Sequence, residues 1–347
     1  MRVSDFDFDL PDELVAQHAA PRGESRLLVV DRATGATEHG VIGDLVRYVR
    51  DGDVLVANNT RVFPARLQGV RDPSGGAVEC MLLEREGTGD VWSALVHPGQ
   101  KLKPGARMRF ASGGRTLMGE ILERKFFGRR NVRLWSESGE PVESLIDAIG
   151  HVPLPPYIKR TDEPGDRERY QTVYAKTRGS VAAPTAGLHF SEQLLTALER
   201  RGVQFVEVTL HVGYGTFKPV RTEAVEEHIV DAERYTISPA AADAINLAKR
   251  ERRRVIAVGT TTTRALENSA LGGGEVVAGD GEASIFIYPG FDFRIIDGLL
   301  TNFHLPKSSL LMLVAAFARR DRILAAYRHA VELRYRFYSY GDAMLIA

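Results

Sequence analysis

Cysteine, long apolar runs and an excess of either charge are all scarce in this sequence. Cys80 is the single cysteine among 347 residues, so neither an internal disulfide nor a cysteine-based zinc site can form. The longest apolar run covers residues 310–318. It predicts a buried helix, because a membrane span needs roughly 20 such residues. The N-terminal residues 1–14 are acidic and contain no apolar signal core. We therefore expect a cytoplasmic protein.

Positive and negative charges balance, with 45 lysines and arginines against 45 aspartates and glutamates. Proteins that coat nucleic acid generically have a net positive charge, so the balance disfavours that class. Local basic surface could still come from residues 124–133, from residues 249–254, or from cations scattered between residues 159 and 178. The alternative for each stretch, a solvated face of a helix or strand, is equally favoured.

Two patterns of apolar residues divide the chain. Residues 52–67 begin with a buried strand near Val54 and end in polar residues. From residue 68 to residue 150, short strand-like runs alternate with glycine, proline, aspartate and serine, which predicts a small sandwich or barrel. After residue 180, strands and helices alternate, which predicts a parallel or mixed sheet with helices on its faces. The strand near Val54 would join that sheet, so the β unit would be an insertion.

Caps and breakers define the elements of the second half. Ser191 as an N-cap and Gly202 as a stop bound a predicted helix. The other predicted helices cover residues 238–253, 261–268 and 308–320, and the predicted strands cover residues 203–212, 254–260 and 283–290.

Polar loops follow these strands, at the edge where open α/β sheets bind ligands. They are residues 58–61, 211–217, 259–264, 288–290 and 301–309. The stretch AAPTAGLHF, residues 182–190, likewise stands just before a helix. It is either an ordinary tight turn with a solvent-facing histidine or one wall of a site. The convergence of all these loops on one edge favours a site.

Each motif taken alone has a structural alternative. Residues 259–264 suit an anion or polar ligand at a helix N-terminus, or only a cap, and they lack the lysine of a triphosphate-binding loop. Residues 226–233 are an acid/base group or a solvated acidic loop. Residues 335–346 either stack on bases or form a core strand. A metal site is disfavoured, because no metal motif matches the spacing of His189, His211, His228 and His304.

Nine blocks of sequence, in order from the first residues to the last, point to a known family. They include NNTRVFPARL, VAAPTAGLHF, VTLHVGYGTFKPV, VIAVGTTTTRALE and TNFHLPKSSLLMLV. With these blocks the chain resembles the S-adenosylmethionine:tRNA ribosyltransferase-isomerases of queuosine biosynthesis. The resemblance implies an α/β fold, with a mixed sheet and flanking helices in residues 1–67 and 151–347. It also implies an inserted small β-barrel domain in residues 68–150.

The resemblance also implies a reaction. The ribosyl part of S-adenosylmethionine moves to 7-aminomethyl-7-deazaguanine at the tRNA wobble position and rearranges, giving epoxyqueuosine with release of adenine and methionine. S-adenosylmethionine is then a consumed substrate, and we expect no metal, no redox cofactor, no membrane and a monomer. The partner would be the anticodon stem-loop of tRNA.

This chemistry needs proton transfer, which histidine or a raised-pKa glutamate can supply. We assign it to His189, His211 and His304, with Glu227 next. Arg61 and Arg264 would clamp a carboxylate or phosphate, since a guanidinium cannot act as a base at neutral pH. The remaining predicted binding residues donate hydrogen bonds, stack on bases or complete the loops: Asn59, Thr185, Gly187, Phe190, Tyr214, Gly215, Phe217, Thr261, Asn302 and Lys307. AAPTAGLHF is then a wall of the site, with its histidine facing the substrate.

The inserted β unit is the predicted RNA-binding arm, through Arg124, Lys125, Arg129 and Arg130. The chain departs from the family pattern at Asp231, where many members carry a second histidine, which shifts attention to His228 and Glu233. Two other classes compete: a catalytically silent tRNA-binding protein and a nucleotide hydrolase that uses the threonine-rich loop. The missing loop lysine disfavours the hydrolase, and the converging loops disfavour the silent binder.

Overall fold

The computed structural model describes residues 1–87, 89–217 and 219–347, without the side chains of Phe127, Thr216 and Phe217. Its strands are β1 (Arg26–Val30), β2 (Thr37–Val41), β3 (Val54–Asn58), β4 (Thr60–Val62), β5 (Arg66–Asp72), β6 (Ala77–Arg85), β7 (Val91–His97), β8 (Arg107–Ser112), β9 (Arg115–Arg124), β10 (Arg129–Trp135), β11 (Thr177–Ser180), β12 (Gln204–Leu210), β13 (Glu233–Ile237), β14 (Val255–Val258), β15 (Gly279–Ala283), β16 (Gly298–Asn302) and β17 (Ala343–Ile346). Its α-helices are α1 (Leu45–Tyr48), α2 (Val142–Ile149), α3 (Asp166–Arg169), α4 (Glu192–Arg200), α5 (Pro239–Arg250), α6 (Thr260–Ser269), α7 (Ser309–Ala318) and α8 (Arg320–Glu332).

A mixed sheet forms the larger unit. In the part of the chain that the structure describes, nine strands pair in the order β15-β13-β12-β3-β14-β16-β17-β1-β2. β12 and β14 both pair in parallel with β3, and β16 pairs in parallel with β14. Every residue of β3, β14 and β16 is buried, because helices cover both faces. The carboxyl ends of these four strands therefore meet at one edge of the sheet.

The second unit is a closed barrel of strands β5 to β10, in the order β10-β7-β6-β5-β8-β9. Its interior is filled by apolar side chains such as Leu82, Phe110 and Val132. Helix α2 packs on this core through Leu145 and Ile146. A mixed sheet with flanking helices and a separate β-barrel confirms the predicted fold class. The predicted domain boundaries at residues 67/68 and 150/151 stay a prediction, with β5 beginning at Arg66.

Local signals set several helix ends as predicted. The Ser191 hydroxyl accepts a hydrogen bond from the Leu194 amide at 3.2 Å, and the Ser238 hydroxyl accepts one from Ala241. The apolar run at 310–318 lies in α7, which is a buried helix as predicted. Among the described residues, no helix is both long and apolar enough to span a bilayer.

One predicted strand needs correction, and one open alternative is decided. Residues 284–288 lie outside any strand, and the strand that precedes them is the glycine-containing β15. Among the described strands, β15 pairs with β13 alone, a partner that local sequence does not reveal. At the C-terminus, β17 is a fully buried core strand next to β16. Of the two alternatives for residues 335–346, stacking on bases or a core strand, the core strand is therefore correct for residues 343–346.

Candidate active site

The carboxyl ends of four neighbouring strands hold polar residues, as the sequence predicts. β3 ends at Asn58, whose side chain is fully buried and bridges to β12: Nδ2 donates to the Leu210 carbonyl at 2.8 Å, and Oδ1 accepts from the Leu210 amide at 3.0 Å. His211 follows β12 directly, Gly259 follows β14, and His304 lies two residues after β16. The buried Asn58 therefore fixes the place where the chain leaves β12 for the site.

A cleft of about 430 Å³ separates the barrel from this edge of the sheet. We call it the large cleft. Its barrel wall includes Phe63, Trp92 and Arg129, and its sheet wall includes His211 and Tyr214. Four arginines line it, namely Arg85, Arg129, Arg178 and Arg234. Each of them is ion-paired with a carboxylate.

Two smaller cavities lie beside the large cleft. The threonine pocket, about 40 Å³, is lined by polar uncharged residues that include Thr185, Thr260, Thr261, Thr301, Asn302 and His304. The acidic pocket, about 50 Å³, is lined by Asp231, Glu233, Arg264, His228 and Phe286, with apolar residues of α7. In α6 the hydroxyls of Thr262 and Thr263 bond back to the carbonyls of Val258 and Gly259, so these two threonines do not serve the pocket.

One loop borders all three cavities. Val212 lines both the large cleft and the threonine pocket, and Gly215 lines both the large cleft and the acidic pocket. We call residues 211–215 the dividing loop. A Cβ on Gly215 would lie 2.5 Å from the Asp231 carboxylate, so only glycine allows this close approach. The dividing loop is the place where ligands in different cavities could react.

His211 is the predicted catalytic histidine that faces the large cleft. Its Nδ1 lies 3.0 Å from the Thr60 hydroxyl, which in turn lies 2.8 Å from the Ser180 hydroxyl. The ring also packs against Gly179, where a Cβ would lie 2.5 Å from it. Burial lowers the pKa of His211, so its ring is neutral at physiological pH. Among the described residues none hydrogen-bonds to its Nε2, which is therefore free to act on a substrate.

His189 lies in the protein interior, contrary to the expectation that it faces the substrate. Its Nδ1 lies 2.9 Å from the Ser25 hydroxyl and its Nε2 lies 3.1 Å from Asn302 Nδ2. Burial and the nearby Arg169 lower the pKa of His189 to about 3. Because both ring nitrogens are engaged, the histidine orients Asn302. The stretch AAPTAGLHF still forms a wall, since residues 182–186 line the threonine pocket.

His304 does line the threonine pocket, but it too is held by the protein. Its Nε2 lies 2.9 Å from the Thr301 hydroxyl, and its backbone amide donates to the Tyr327 hydroxyl. Burial lowers the pKa of His304 to about 3. A base with so low a pKa transfers protons poorly at neutral pH, so the ring serves better as a hydrogen-bonding group.

The predicted acid Glu227 is exposed and lies outside the three cavities, in the part of the chain that the structure describes. Glu233 takes the interior position instead: it is buried, accepts from Arg264 Nη1 at 2.7 Å and accepts from the Gly213 amide at 3.0 Å. Arg264 also donates to the carbonyls of Asp231, Ala283 and Ile285. The proposed clamp role of Arg264 therefore needs correction: its guanidinium braces the acidic pocket.

Several predicted binding residues serve the fold. Phe190 is fully buried beside Tyr174 and Phe205, so it cannot stack on a substrate base. Asn59 bonds to Glu207 and Thr209, and Lys307 pairs with Asp7 at 2.7 Å. Gly187 makes room for the Tyr174 hydroxyl, which would lie 2.2 Å from an added Cβ.

The other predicted binding residues divide between cavity and surface. Thr185, Thr261 and Asn302 line the threonine pocket, and Tyr214 and Gly215 line the large cleft, as a site would require. Arg61 is exposed on β4, outside the described lining of the cavities. The side chain of Phe217 lies outside the described residues.

The four predicted RNA-binding residues differ in whether their side chains are free to contact RNA. Arg124 is exposed, and Lys125 pairs with Glu86. Arg129 lines the large cleft and pairs with Asp231 of the sheet unit at 3.1 Å. Arg130 is buried and donates to the carbonyls of Gly99, Gly128 and Arg129, so it cannot reach RNA.

Sequence reasoning missed the residues that come from the barrel and from other loops. Trp92 lines the large cleft, and Tyr157 and Tyr338 line the threonine pocket. Only the position of Asp231, flagged as a departure from the family pattern, gave a signal: its carboxylate borders two cavities and receives Arg129 across the cleft. Within the described ranges, no group of three or more His, Cys, Asp or Glu side chains could hold a metal ion.

The fold and cavities define a two-unit α/β protein with a large cleft between sheet and barrel and two smaller pockets beside it. A family model described as a queuosine biosynthesis protein matches residues 3–346, so the chain belongs to that family. It is 51% identical over its full length to the S-adenosylmethionine:tRNA ribosyltransferase-isomerase of Desulfitobacterium hafniense, and 53% identical to that of Heliobacterium modesticaldum, covering 100% of each relative. A solved structure of the S-adenosylmethionine tRNA ribosyltransferase from Thermotoga maritima is 36% identical, with a TM-score of 0.56, over 99% of this chain and 100% of that one.

Proposed function

We propose that this protein transfers the ribosyl part of S-adenosylmethionine to 7-aminomethyl-7-deazaguanine at the tRNA wobble position and isomerises it, giving epoxyqueuosine. Adenine and methionine leave in the reaction. The observation that carries the proposal is the meeting of one large cleft and two small pockets at the dividing loop. A reaction between a small donor and a nucleotide of a macromolecule needs such a junction.

The donor occupies the two small pockets in this proposal. Asn302 is 2% exposed, and its buried Oδ1 has no hydrogen-bond partner among the described residues. A buried acceptor without a partner costs free energy, and the exocyclic amine of adenine would satisfy it. The hydroxyl-bearing lining of the threonine pocket suits the neutral base and sugar.

The acidic pocket suits the charged part of the donor. Its lining holds the carboxylates of Asp231 and Glu233; Glu233 pairs with Arg264, and Asp231 pairs with Arg129, which reaches it from the large cleft. The ring of Phe286 is also present there, and aromatic faces attract cations. The sulfonium of S-adenosylmethionine is such a cation. The apolar residues of α7 would contact its methionine chain.

The large cleft takes the RNA nucleotide. Enzymes that modify a base take it out of the stack and hold it between aromatic or apolar side chains. Tyr214 on the sheet wall is half-buried and offers such a surface, whereas Phe63 and Trp92 on the barrel wall are buried in the barrel core and form the apolar backing of the cleft. Each stacked base contributes about 1–3 kcal/mol to binding.

His211 is the proton acceptor of the reaction. The donor's sulfonium acidifies the adjacent C5′ protons, so a neutral imidazole is a sufficient base. The target amine must also lose a proton before it attacks the sugar. His211, the first residue of the dividing loop, borders the large cleft, with Nδ1 fixed by Thr60. The protein works as a cytoplasmic monomer without a metal or redox cofactor, and S-adenosylmethionine is consumed.

Mass spectrometry of digested tRNA tests the proposal. Purified protein, S-adenosylmethionine and tRNA bearing 7-aminomethyl-7-deazaguanine, with chelator and no added metal, should yield epoxyqueuosine with equal amounts of free adenine and methionine. The matched control is the same tRNA with guanine at the wobble position, which should give no adenine.

The same preparation separates the competing classes. Tight tRNA binding without any product would instead indicate a silent binder. Turnover of ATP or GTP in place of S-adenosylmethionine would indicate a hydrolase.

A further inference from the structure

Arg178 in the large cleft has hydrogen-bonding capacity that the protein does not use. Its Nη1 pairs with Asp147 at 2.7 Å, and its guanidinium lies 5.1 Å from the centre of the Phe63 ring. Its Nη2, however, is buried and has no hydrogen-bond partner among the described residues. A buried guanidinium donor left without an acceptor is costly, so the position favours a ligand that brings one.

A second arginine lies beside it. Arg61 of β4 is the register partner of Arg178 of β11, so the two backbones are neighbours in a parallel ladder. Like charges on neighbouring strands repel each other. The ion pairs among the described residues supply one carboxylate, Asp147, to this pair of arginines, and Arg61 has none of its own. The two arginines thus carry one unit of positive charge in excess.

We infer that Arg178 and Arg61 together bind a backbone phosphate of the substrate RNA, at the margin of the large cleft. A guanidinium matches phosphate oxygens with parallel N–H donors. The Phe63 ring packs against the Arg178 guanidinium and helps to fix its position. Asp147 occupies Nη1 in the free protein and leaves Nη2 for the incoming phosphate. The chain has no net charge, so such a local site supplies attraction for RNA that the overall composition does not.

The phosphate is assigned to RNA because Arg178 lines the large cleft and not the two small pockets. This inference rests on the proposed function for the identity of the RNA. It is tested without catalysis, so the two can fail separately.

Fluorescence anisotropy with a labelled anticodon stem-loop RNA, without S-adenosylmethionine, tests the site across a salt series. Arg178→Ala should weaken RNA binding about tenfold and lower the slope of log K against log salt by about 1, since one phosphate contact is lost. Arg61→Ala should act in the same direction. Arg133→Ala is the matched control: this exposed barrel arginine pairs with Glu120 and lies outside the lining of the cleft.

Asp147→Asn separates binding from a structural role. The arginine remains but its competing carboxylate is neutralised, so RNA binding should tighten severalfold. If Arg178 only ties β11 to α2, the variant would lower the melting temperature without tighter binding, and the inference would be overturned. It would also be overturned if Arg178→Ala left the salt slope unchanged, or if it weakened S-adenosylmethionine binding instead. A protein that forms no epoxyqueuosine but shows the expected RNA effects would contradict the proposed function alone.

Discussion

The imidazole of His211 is held at one nitrogen and open at the other, which determines what it can do in a reaction. Thr60 fixes Nδ1, and burial keeps the ring neutral by lowering its pKa. His189 and His304 are also neutral, but the protein engages both nitrogens of His189, and His304 lines the threonine pocket and not the large cleft. Of the predicted catalytic histidines, His211 is thus the one placed to accept a proton from a substrate in the large cleft.

We expect His211→Gln to lower the single-turnover rate about 10²–10⁴-fold, the usual contribution of a general base. Wild-type kcat should fall as the pH drops below His211's pKa, which lies under 6.5, because the protonated ring cannot act as a base. Rapid-quench measurements of adenine release across pH test both effects. The control is His18→Gln, an exposed histidine. A variant at position 211 that kept the wild-type rate would remove the histidine from the mechanism.

The two deeply buried histidines should make folding stability depend on pH. The unfolded chain binds a proton at each of them below about pH 6.5, whereas the folded protein resists protonation until about pH 3. The free energy of unfolding should therefore fall with decreasing pH from about 6.5 downwards, by up to about 1.4 kcal/mol per pH unit for each histidine. Urea unfolding at a series of pH values measures this slope.

His304→Gln should reduce the slope of the unfolding free energy against pH by the contribution of one histidine. His97→Gln, at an exposed position of the barrel, should leave it unchanged. Equal slopes for wild type and His304→Gln would contradict the assignment.

At the scale of elements, strand β11 packs against the His211 ring through its glycine, Gly179. Gly179 lies against the His211 ring, where an added Cβ would be 2.5 Å from the nearest ring atom. We expect Gly179→Ala to displace the ring and to lower kcat about 10–100-fold, since small misplacement of catalytic groups is costly. The RNA dissociation constant should change little.

Gly165→Ala is the matched control, because an added Cβ there meets no atom within 4 Å. Steady-state kinetics with far-ultraviolet circular dichroism would distinguish a misplaced ring from a misfolded chain. Wild-type kcat in Gly179→Ala would mean that His211 tolerates the shift or does not act in the reaction.

The elements that the sequence predicts correctly are those with local signals. The serine caps of α4 and α5 and the apolar run of α7 act within a few residues, so pattern reading finds them. The sequence does not reveal β15, because it contains four polar or glycine residues in succession and, among the described strands, pairs with β13 alone. Pairing between distant segments is a tertiary effect that local propensity does not contain.

The same limit applies to the site. The polar loops could be placed at one sheet edge, because strand order and loop position follow from the α/β pattern. The direction of each side chain could not, since it depends on distant partners: His189 is turned inward by Ser25, which is 164 residues away in sequence. Arg264 was likewise assigned to a ligand although its acceptors lie on β15 and the segments around it.

At the scale of the whole molecule, the site exists because two units face each other. Ion pairs from Arg129 to Asp231 and from Arg234 to Glu84 cross the large cleft between barrel and sheet. These pairs are partly exposed, so each adds at most about 1 kcal/mol. They can break without a large cost, as the proposed entry of RNA into the cleft would require.

Trp92 should report on entry of RNA into the large cleft. It lines the cleft, packs against Phe63, and is one of only two tryptophans. In a Trp135→Phe background we expect stem-loop RNA to change Trp92 emission, whereas S-adenosylmethionine alone should change it little because its proposed site is the two small pockets. A fluorescence titration with each ligand checks this. The reverse pattern would place the donor in the large cleft.

The most direct test of the account is a crystal structure with S-adenosylhomocysteine and an anticodon stem-loop that carries 7-aminomethyl-7-deazaguanine. The thioether lacks the sulfonium charge, so the complex cannot react. We predict that the adenine amine lies against Asn302 Oδ1 and that the target base lies in the large cleft. His211 Nε2, at the start of the dividing loop, should lie within hydrogen-bond distance of the aminomethyl group. A donor bound in the large cleft, or a target base remote from residues 211–215, would contradict the account.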